Sequence, residues 1–242
     1  MTKPVTHVAI VLDRSGSMAS TKQQAIQGYN EQVQQMKLHS KTQDIFCSFV
    51  SFNGQVFDHH WDAPANSLHE LSESGYCPDG STALRDAIGY TVKKLLECKD
   101  ATLDNVAFLV VVVSDGEENS SQHISPGELR ELIDSTQKTG RWTYTYMGCS
   151  ESGMRTLAID TNIPISNMAV WSNATPQLAT AGFMRSTERL DHYYAARASN
   201  DVVAACLYSD DKNAVANWQN PDSITPGKKV ASGGSGKAPD AI

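Results

Sequence analysis

The stretch VAIVLDRSGS, residues 8–17, decides the fold. Val8 to Leu12 is an unbroken apolar run. It is too short for a buried helix and rich in β-branched residues, which suits a strand covered on both faces, as in a parallel sheet. The run stops at Asp13-Arg14-Ser15-Gly16-Ser17, a polar, turn-forming segment. The same grammar returns in VAFLVVVVSDG, residues 106–116, where Val106 to Val113 ends in Ser114-Asp115-Gly116.

Working outward from these strands, helical periodicity follows each. Ile26, Tyr29, Val33 and Met36 recur at spacings of three and four, as do Leu84, Ile88, Val92 and Leu95, which predicts amphipathic helices. Ser125 is a good N-cap, Pro126 suits the first helical position and Glu128 completes a capping box, ahead of a stripe of Leu129, Leu132 and Ile133. Ile45 to Phe52 reads as a strand, with Gln55 to Trp61 as its hairpin partner across Asn53-Gly54, a favoured tight turn. Trp142, Tyr144 and Tyr146 alternate with Thr143, Thr145 and Met147, as in a half-exposed strand. Ile165 to Trp171 is a weaker strand, and Pro176 opens a final helix reaching about Ala198. The order β-α-β-β-α-β-α-β-α-β-α predicts a doubly wound α/β sheet, mostly parallel, with one antiparallel edge strand and helices on both faces.

The chain has 242 residues, 40% hydrophobic and 19% charged, the balance of a globular protein. A single domain is expected over residues 1–219, with its core at about 5–198. A flexible tail rich in Pro, Gly, Ser and Lys is expected over 220–242, and 202–218 carries no assigned function. The net charge of −7 argues against nucleic-acid binding. No apolar run is long enough to span a bilayer, and Met1 to Pro4 shows no signal-peptide pattern. The five cysteines are scattered without a CxxC pair, so neither a disulfide framework nor a zinc ribbon is indicated, and a cytoplasmic setting is expected.

Three polar loops carry the chemistry. In open α/β sheets the loops at the carboxyl ends of the strands converge on one crevice. Asp13 and Asp115 are therefore expected as neighbours despite roughly a hundred residues between them. Asp79-Gly80-Ser81-Thr82, just before a helix, joins them. Two carboxylates forced together are each stabilised by a cation, and Ser15, Ser17 and Thr82 add hydroxyl oxygens. An all-oxygen set without sulfur or imidazole selects a hard ion: Mg²⁺, Mn²⁺ or Ca²⁺. Taken singly, Ser15-Gly16-Ser17 reads equally as a strand-to-helix turn with an N-cap serine, and Asp115-Gly116 as a plain turn. Their order and their placement at strand ends favour the metal.

Asp13, Ser15, Ser17, Thr82 and Asp115 resemble the metal-ion-dependent adhesion site of von Willebrand A domains: Asp-x-Ser-x-Ser, then a loop Thr, then a loop Asp. VLDRSGSM, GSTALRDAIG and VVVSDGEENSS look closest to small stand-alone A-domain proteins of bacteria and their phages. The likeness covers roughly Val5 to Ala198. It implies a Rossmann-like fold, a bound Mg²⁺, and a protein partner whose Asp or Glu completes the coordination and draws Thr82 into it. Arg14, Asp79, Glu117 and Glu118 are then expected on the rim that meets the partner. Asp79 departs from the pattern, since a small residue is usual there; it would serve as a supporting acceptor or compete with the incoming carboxylate.

Enzyme signatures are missing. No GxGxxG opens a helix, Gly236-Lys237 is followed by Ala238, and Gly148-Cys149-Ser150-Glu151-Ser152 lacks the last glycine of a nucleophile elbow. A metal-dependent phosphatase is the remaining enzymatic alternative, although Arg14 and Ser15 stand where a second aspartate is commonly needed. A second alternative is a structural subunit of a larger assembly, such as a phage particle or an ATPase-associated complex, with the metal merely joining three loops.

Overall fold

A computed structural model of the chain describes residues 3–115, 118–149, 151–170 and 176–199. The two long apolar runs lie side by side at the centre. Strand β1 (Val5–Asp13) pairs in parallel with β4 (Val106–Val113) on one side and with β2 (Asp44–Phe52) on the other. β3 (Val56–Pro64) adds antiparallel to β2, while β5 (Trp142–Gly148) and β6 (Met168–Val170) extend the sheet beyond β4. The resulting six-stranded order is β3-β2-β1-β4-β5-β6. The fold is the expected doubly wound, mostly parallel sheet with one antiparallel edge strand.

The period-two alternation of β1 splits the core into two layers. Val8, Ile10 and Leu12 pack with Tyr29, Val33 and Met36 of α1 (Lys22–His39) and with Leu190 and Tyr194 of α5 (Pro176–Ala198). Ala9 and Val11 face Ile88, Val92 and Leu95 of α2 (Leu84–Leu96), Leu129 and Ile133 of α3 (Pro126–Gln137), and Leu157 of α4 (Glu151–Thr161). α3 starts as its residues dictate: Ser125 Oγ accepts from Glu128 N, and the Glu128 side chain accepts from the Ser125 backbone.

Two expectations need correction. β5 is buried along its whole length instead of half-exposed. It lies between β4 and β6, and its threonines face inward too, with Thr145 fully buried. Threonine is small and β-branched enough to pack on a covered face once its hydroxyl is bonded. The weaker strand is regular only over Met168–Val170, after a 3₁₀ turn at Ile165–Asn167. Gly116, Glu117, Trp171 and the regions 202–218 and 220–242 lie outside the described residues. Among the described residues, no helix is long and apolar enough to cross a membrane.

This topology positions a crevice. After β1 the chain runs outward to β2 and β3, then returns to the far side of β1 as β4. The loops leaving β1 and β4 therefore diverge in opposite directions and leave an opening between them at the carboxyl ends of the strands.

If the central pair carries the fold, Leu109→Ala, at a fully buried position of β4, should cost about 2–5 kcal/mol in urea unfolding. Leu38→Ala, where the side chain is 52% exposed, should stay within about 0.5 kcal/mol.

Candidate metal centre at the switch point

The β1 loop folds back on its own carboxylate. Asp13 is fully buried; its Oδ1 accepts from Ser15 N at 2.6 Å, and its Oδ2 accepts from Ser114 Oγ at 2.5 Å. Ser15 precedes a 3₁₀ turn (Gly16–Thr21), yet its hydroxyl does not cap that turn. It lies 3.1 Å from Ser17 Oγ, and Ser17 Oγ in turn donates to Asp115 Oδ1 at 2.6 Å. The reading as a simple N-cap serine therefore fails here, because the hydroxyls bond to one another and to Asp115 instead. Asp13, Ser15, Ser17 and Asp115 form one connected polar cluster.

The middle loop is tied to both others through its backbone. Asp79 N donates to Arg14 O at 2.8 Å, and Gly16 N donates to Gly80 O at 3.1 Å. Gly80 holds φ of +77°, a left-handed conformation that glycine adopts without a Cβ penalty. On the other side, Thr82 N donates to Asn119 Oδ1 at 2.8 Å and Thr82 O accepts from Asn119 N at 3.0 Å. Thr82 is thus buried between the first and third loops.

The electrostatics of this cluster are unfavourable to carboxylates. Burial pushes the Asp13 carboxyl up to about 6, against the bonds from Ser114 and Ser15 that favour its charged form. Burial also raises Asp115. Among the described residues no cation answers them: Arg14 turns away, donating to Cys77 O at 2.9 Å and lying 4.7 Å over the Phe57 ring. Asp115 Oδ2 is buried with no hydrogen-bond partner among the described residues. Such an orphaned acceptor calls for a partner, and the converging oxygens of Asp13, Ser15, Ser17 and Asp115 are the donor set that suits a hard cation. The residues fit that ion.

The expected rim is partly redrawn. Asp79 is exposed and accepts from Asn53 Nδ2 at 2.9 Å, with Arg14 3.7 Å away. Arg14 is only 20% exposed and serves to brace the middle loop. Glu118, expected on the rim, is largely covered: its oxygens accept from Ser120 N, Ser121 N and Ser121 Oγ, and from Arg85 N at the start of α2. A carboxylate is favoured at a helix N-terminus, where backbone N–H groups lack partners. Glu117 lies outside the described residues.

Sequence reasoning passed over several supporting groups. Tyr76 donates from its hydroxyl to Asp13 O. Asp86 accepts from Gln122 N at 2.7 Å, His123 N at 2.9 Å and Ile124 N at 3.0 Å, locking the loop after β4 onto α2. Tyr76 lies outside the motifs quoted above, and Asp86 lies inside GSTALRDAIG without being one of its metal-type residues. The one available signal for Asp86 is an acidic residue in the first turn of a predicted helix.

With the geometry in place, the family follows. The family model described as "von Willebrand factor type A domain" matches residues 7–182; the chain belongs to this family. No curated protein sequence matches it. Among solved structures, it is similar to the vWF domain of the type V pili tip protein Mfa5 from Porphyromonas gingivalis, at 11% identity and a TM-score of 0.55. That match covers 79% of this chain and 97% of the other. It is also similar to the pilus adhesin SpaC from Lactobacillus rhamnosus GG, at 10% identity and a TM-score of 0.59, over 80% of this chain and 30% of SpaC. The PilB minor pilin from Streptococcus sanguinis matches at 12% identity and a TM-score of 0.51, over 79% of this chain and 62% of PilB. The chain thus spans less than two thirds of SpaC and of PilB.

Burial of Asp13 sets a pH dependence. Its folded value of about 6 lies above the ordinary 3.8, so the folded state holds the proton more tightly. The resulting stability is complete below about pH 4 and is lost as pH rises through 6. In chelator-treated protein, urea unfolding between pH 4 and 7 should show the wild type losing on the order of 2–3 kcal/mol more than Asp13→Asn. Parallel pH profiles for the two proteins would contradict this account of the site.

Proposed function

We propose that the chain is a divalent-metal-dependent protein-binding module and not an enzyme. The observation that carries this reading is a pair of carboxylates with raised proton affinity, Asp13 buried and Asp115 half-buried with an orphaned oxygen, beside three hydroxyl residues and, among the described residues, with no basic side chain paired to them. Asp13, Ser15, Ser17, Thr82 and Asp115 hold the ion, directly or through water. Mg²⁺ is the first choice, and Mn²⁺ and Ca²⁺ suit the same oxygen set.

The bound ion supplies an attraction for an anionic group at a coordination position that the protein leaves open. Two aspartates only just neutralise a divalent charge, so an Asp or Glu of a partner protein is the group that fits. That ligand draws Thr82 into direct coordination, and the backbone bonds of Thr82 to Asn119 pass the change to the loop after β4. Asp79, exposed beside the cluster, repels a partner carboxylate unless Asn53 and Arg14 keep it occupied, and so tunes affinity. Among the described residues, the one further carboxylate beside the cluster, Asp79, is held by Asn53 and Arg14 and is not placed as a free base for proton transfer, which is why binding is preferred to phosphate hydrolysis.

Isothermal titration of Mg²⁺ into chelator-stripped protein should give one saturable site, weakened at least tenfold in Asp13→Ala. Thr82→Ala should retain most of the metal affinity while losing binding to an acidic partner captured in Mg²⁺ and released by EDTA. A folded protein that takes up no Mg²⁺ would sink the proposal. Partner binding that survives both EDTA and Thr82→Ala would support the purely structural metal, and turnover of an aryl phosphate with Mg²⁺ would support the phosphatase.

A further inference from the structure

The opposite end of β1 carries a second set of metal-type side chains, unrelated to the cluster around Asp13. His7 lies roughly 20 Å below Asp13 along the strand, at about 3.3 Å per residue. Its ring is buried and stacked between Phe46 and Phe108, with centroids 5.4 and 5.3 Å away. That sandwich fixes the ring plane and aims both nitrogens out of it. Nδ1 meets Asp62 Oδ1 at 2.7 Å, and Nε2 meets Asp100 Oδ1 at 3.0 Å. Cys98, in the turn after α2, completes the group: ligand atoms of His7, Asp62 and Cys98 lie within 4.8 Å of one another.

The backbone is bent to build this arrangement. Asp62 has φ of +50°, a left-handed conformation that costs a non-glycine residue about 1–2 kcal/mol. It sits where the pairing of β2 with β3 slips between Cys47 and Phe49. The slip leaves an extra β3 residue, and Asp62 N donates to Ser48 Oγ at 3.0 Å. Bulges of this kind re-aim side chains; here the bulge turns a carboxylate of the edge strand onto a histidine two strands away. A core histidine needing only a hydrogen-bond partner is satisfied by one carboxylate and no strain. Asp62 and Asp100 are 39% and 32% exposed, so an ion can enter from solvent.

We propose that His7, Asp62 and Cys98 form a second metal site, selective for Zn²⁺-type ions. Imidazole, carboxylate and thiolate together suit zinc, and three protein ligands leave a fourth position for water. Nδ1 passes from its bond with Asp62 to the ion, while Asp100 keeps Nε2–H and fixes the tautomer, the usual carboxylate–histidine support for a metal ligand. The N/O/S set disfavours Mg²⁺, whereas the oxygen set above can also take Zn²⁺, so the upper site is removed in the test. The ion then ties the start of β1 to the end of β3 and to the turn between α2 and β4. This inference is independent of whether the upper cluster binds metal.

The test uses the full chain carrying Asp13→Ala, stripped with chelator and titrated with Co²⁺ as a spectroscopic stand-in for zinc. One equivalent should produce a thiolate-to-cobalt charge-transfer band and the visible bands of four-coordinate cobalt. Cys98→Ser should abolish the charge-transfer band and weaken Zn²⁺ at least tenfold by isothermal titration. Cys77→Ser, at an exposed thiol, should change nothing. Asp100→Asn should keep the band and weaken Zn²⁺ about 10–100-fold. Asp62→Asn serves as a second ligand variant should Cys98→Ser fail to give the native circular dichroism spectrum, and it too should lose at least tenfold. A charge-transfer band that survives Cys98→Ser, no thiolate band in the parent, or Zn²⁺ affinity unmoved by Asp62→Asn would overturn the proposal.

Discussion

The parallel pairing of β1 with β4 governs the rest of the molecule. Both strands are covered on both faces, so neither tolerates a polar residue whose groups lack partners, and each must be followed by a crossover over the sheet. The chain leaves β1 in one direction and β4 in the other. Everything polar that these strands cannot accept is thereby pushed to their carboxyl ends and concentrated in one crevice. Aspartates distant in sequence meet because the apolar runs before them cannot lie anywhere else.

The crevice is costly to build and is held together by its surroundings. Asp13 enters the core as a carboxylate and is met by a backbone N–H and a serine hydroxyl, while Tyr76 secures the carbonyl of the same residue. Around it, Asp86 and Glu118 spend their own charges on backbone N–H groups of the loop after β4 and at the head of α2. The acidic groups near the crevice thus have separate duties. Some hold loops in place, and two are left under electrostatic stress at the centre.

Much of this was legible in the sequence because it is periodic or local. The apolar runs at Val8 and Val106, the capping box at Ser125 and the Asn53-Gly54 hairpin each follow from a few neighbouring residues, and the structure places them as read. β5 was misjudged because threonine passes for a solvent-facing residue in an alternating pattern, although Thr145 is fully covered. Glu118 was misjudged because an acidic residue beside a loop aspartate looks solvated until the start of α2 is known to lie against it. His7, Asp62 and Cys98 were invisible as a group. They sit on three different elements, and the strand bulge that turns Asp62 inward has no sequence signature.

The exposed edge of β3 has a consequence of its own. An uncovered strand offers a row of unpaired backbone groups to any other chain, and long flat edges are where sheets add to one another and aggregate. Here the edge is neither flat nor apolar. The bulge twists it near Asp62, Asp58 places a charge on it in contact with Lys94, and the Lys94 ammonium lies 4.2 Å over the Trp61 ring, covering the largest apolar surface there. The opposite edge, β6, has three paired residues among those described. The described sheet therefore ends at both sides in strands that a neighbouring chain cannot easily extend, which works against edge-to-edge aggregation.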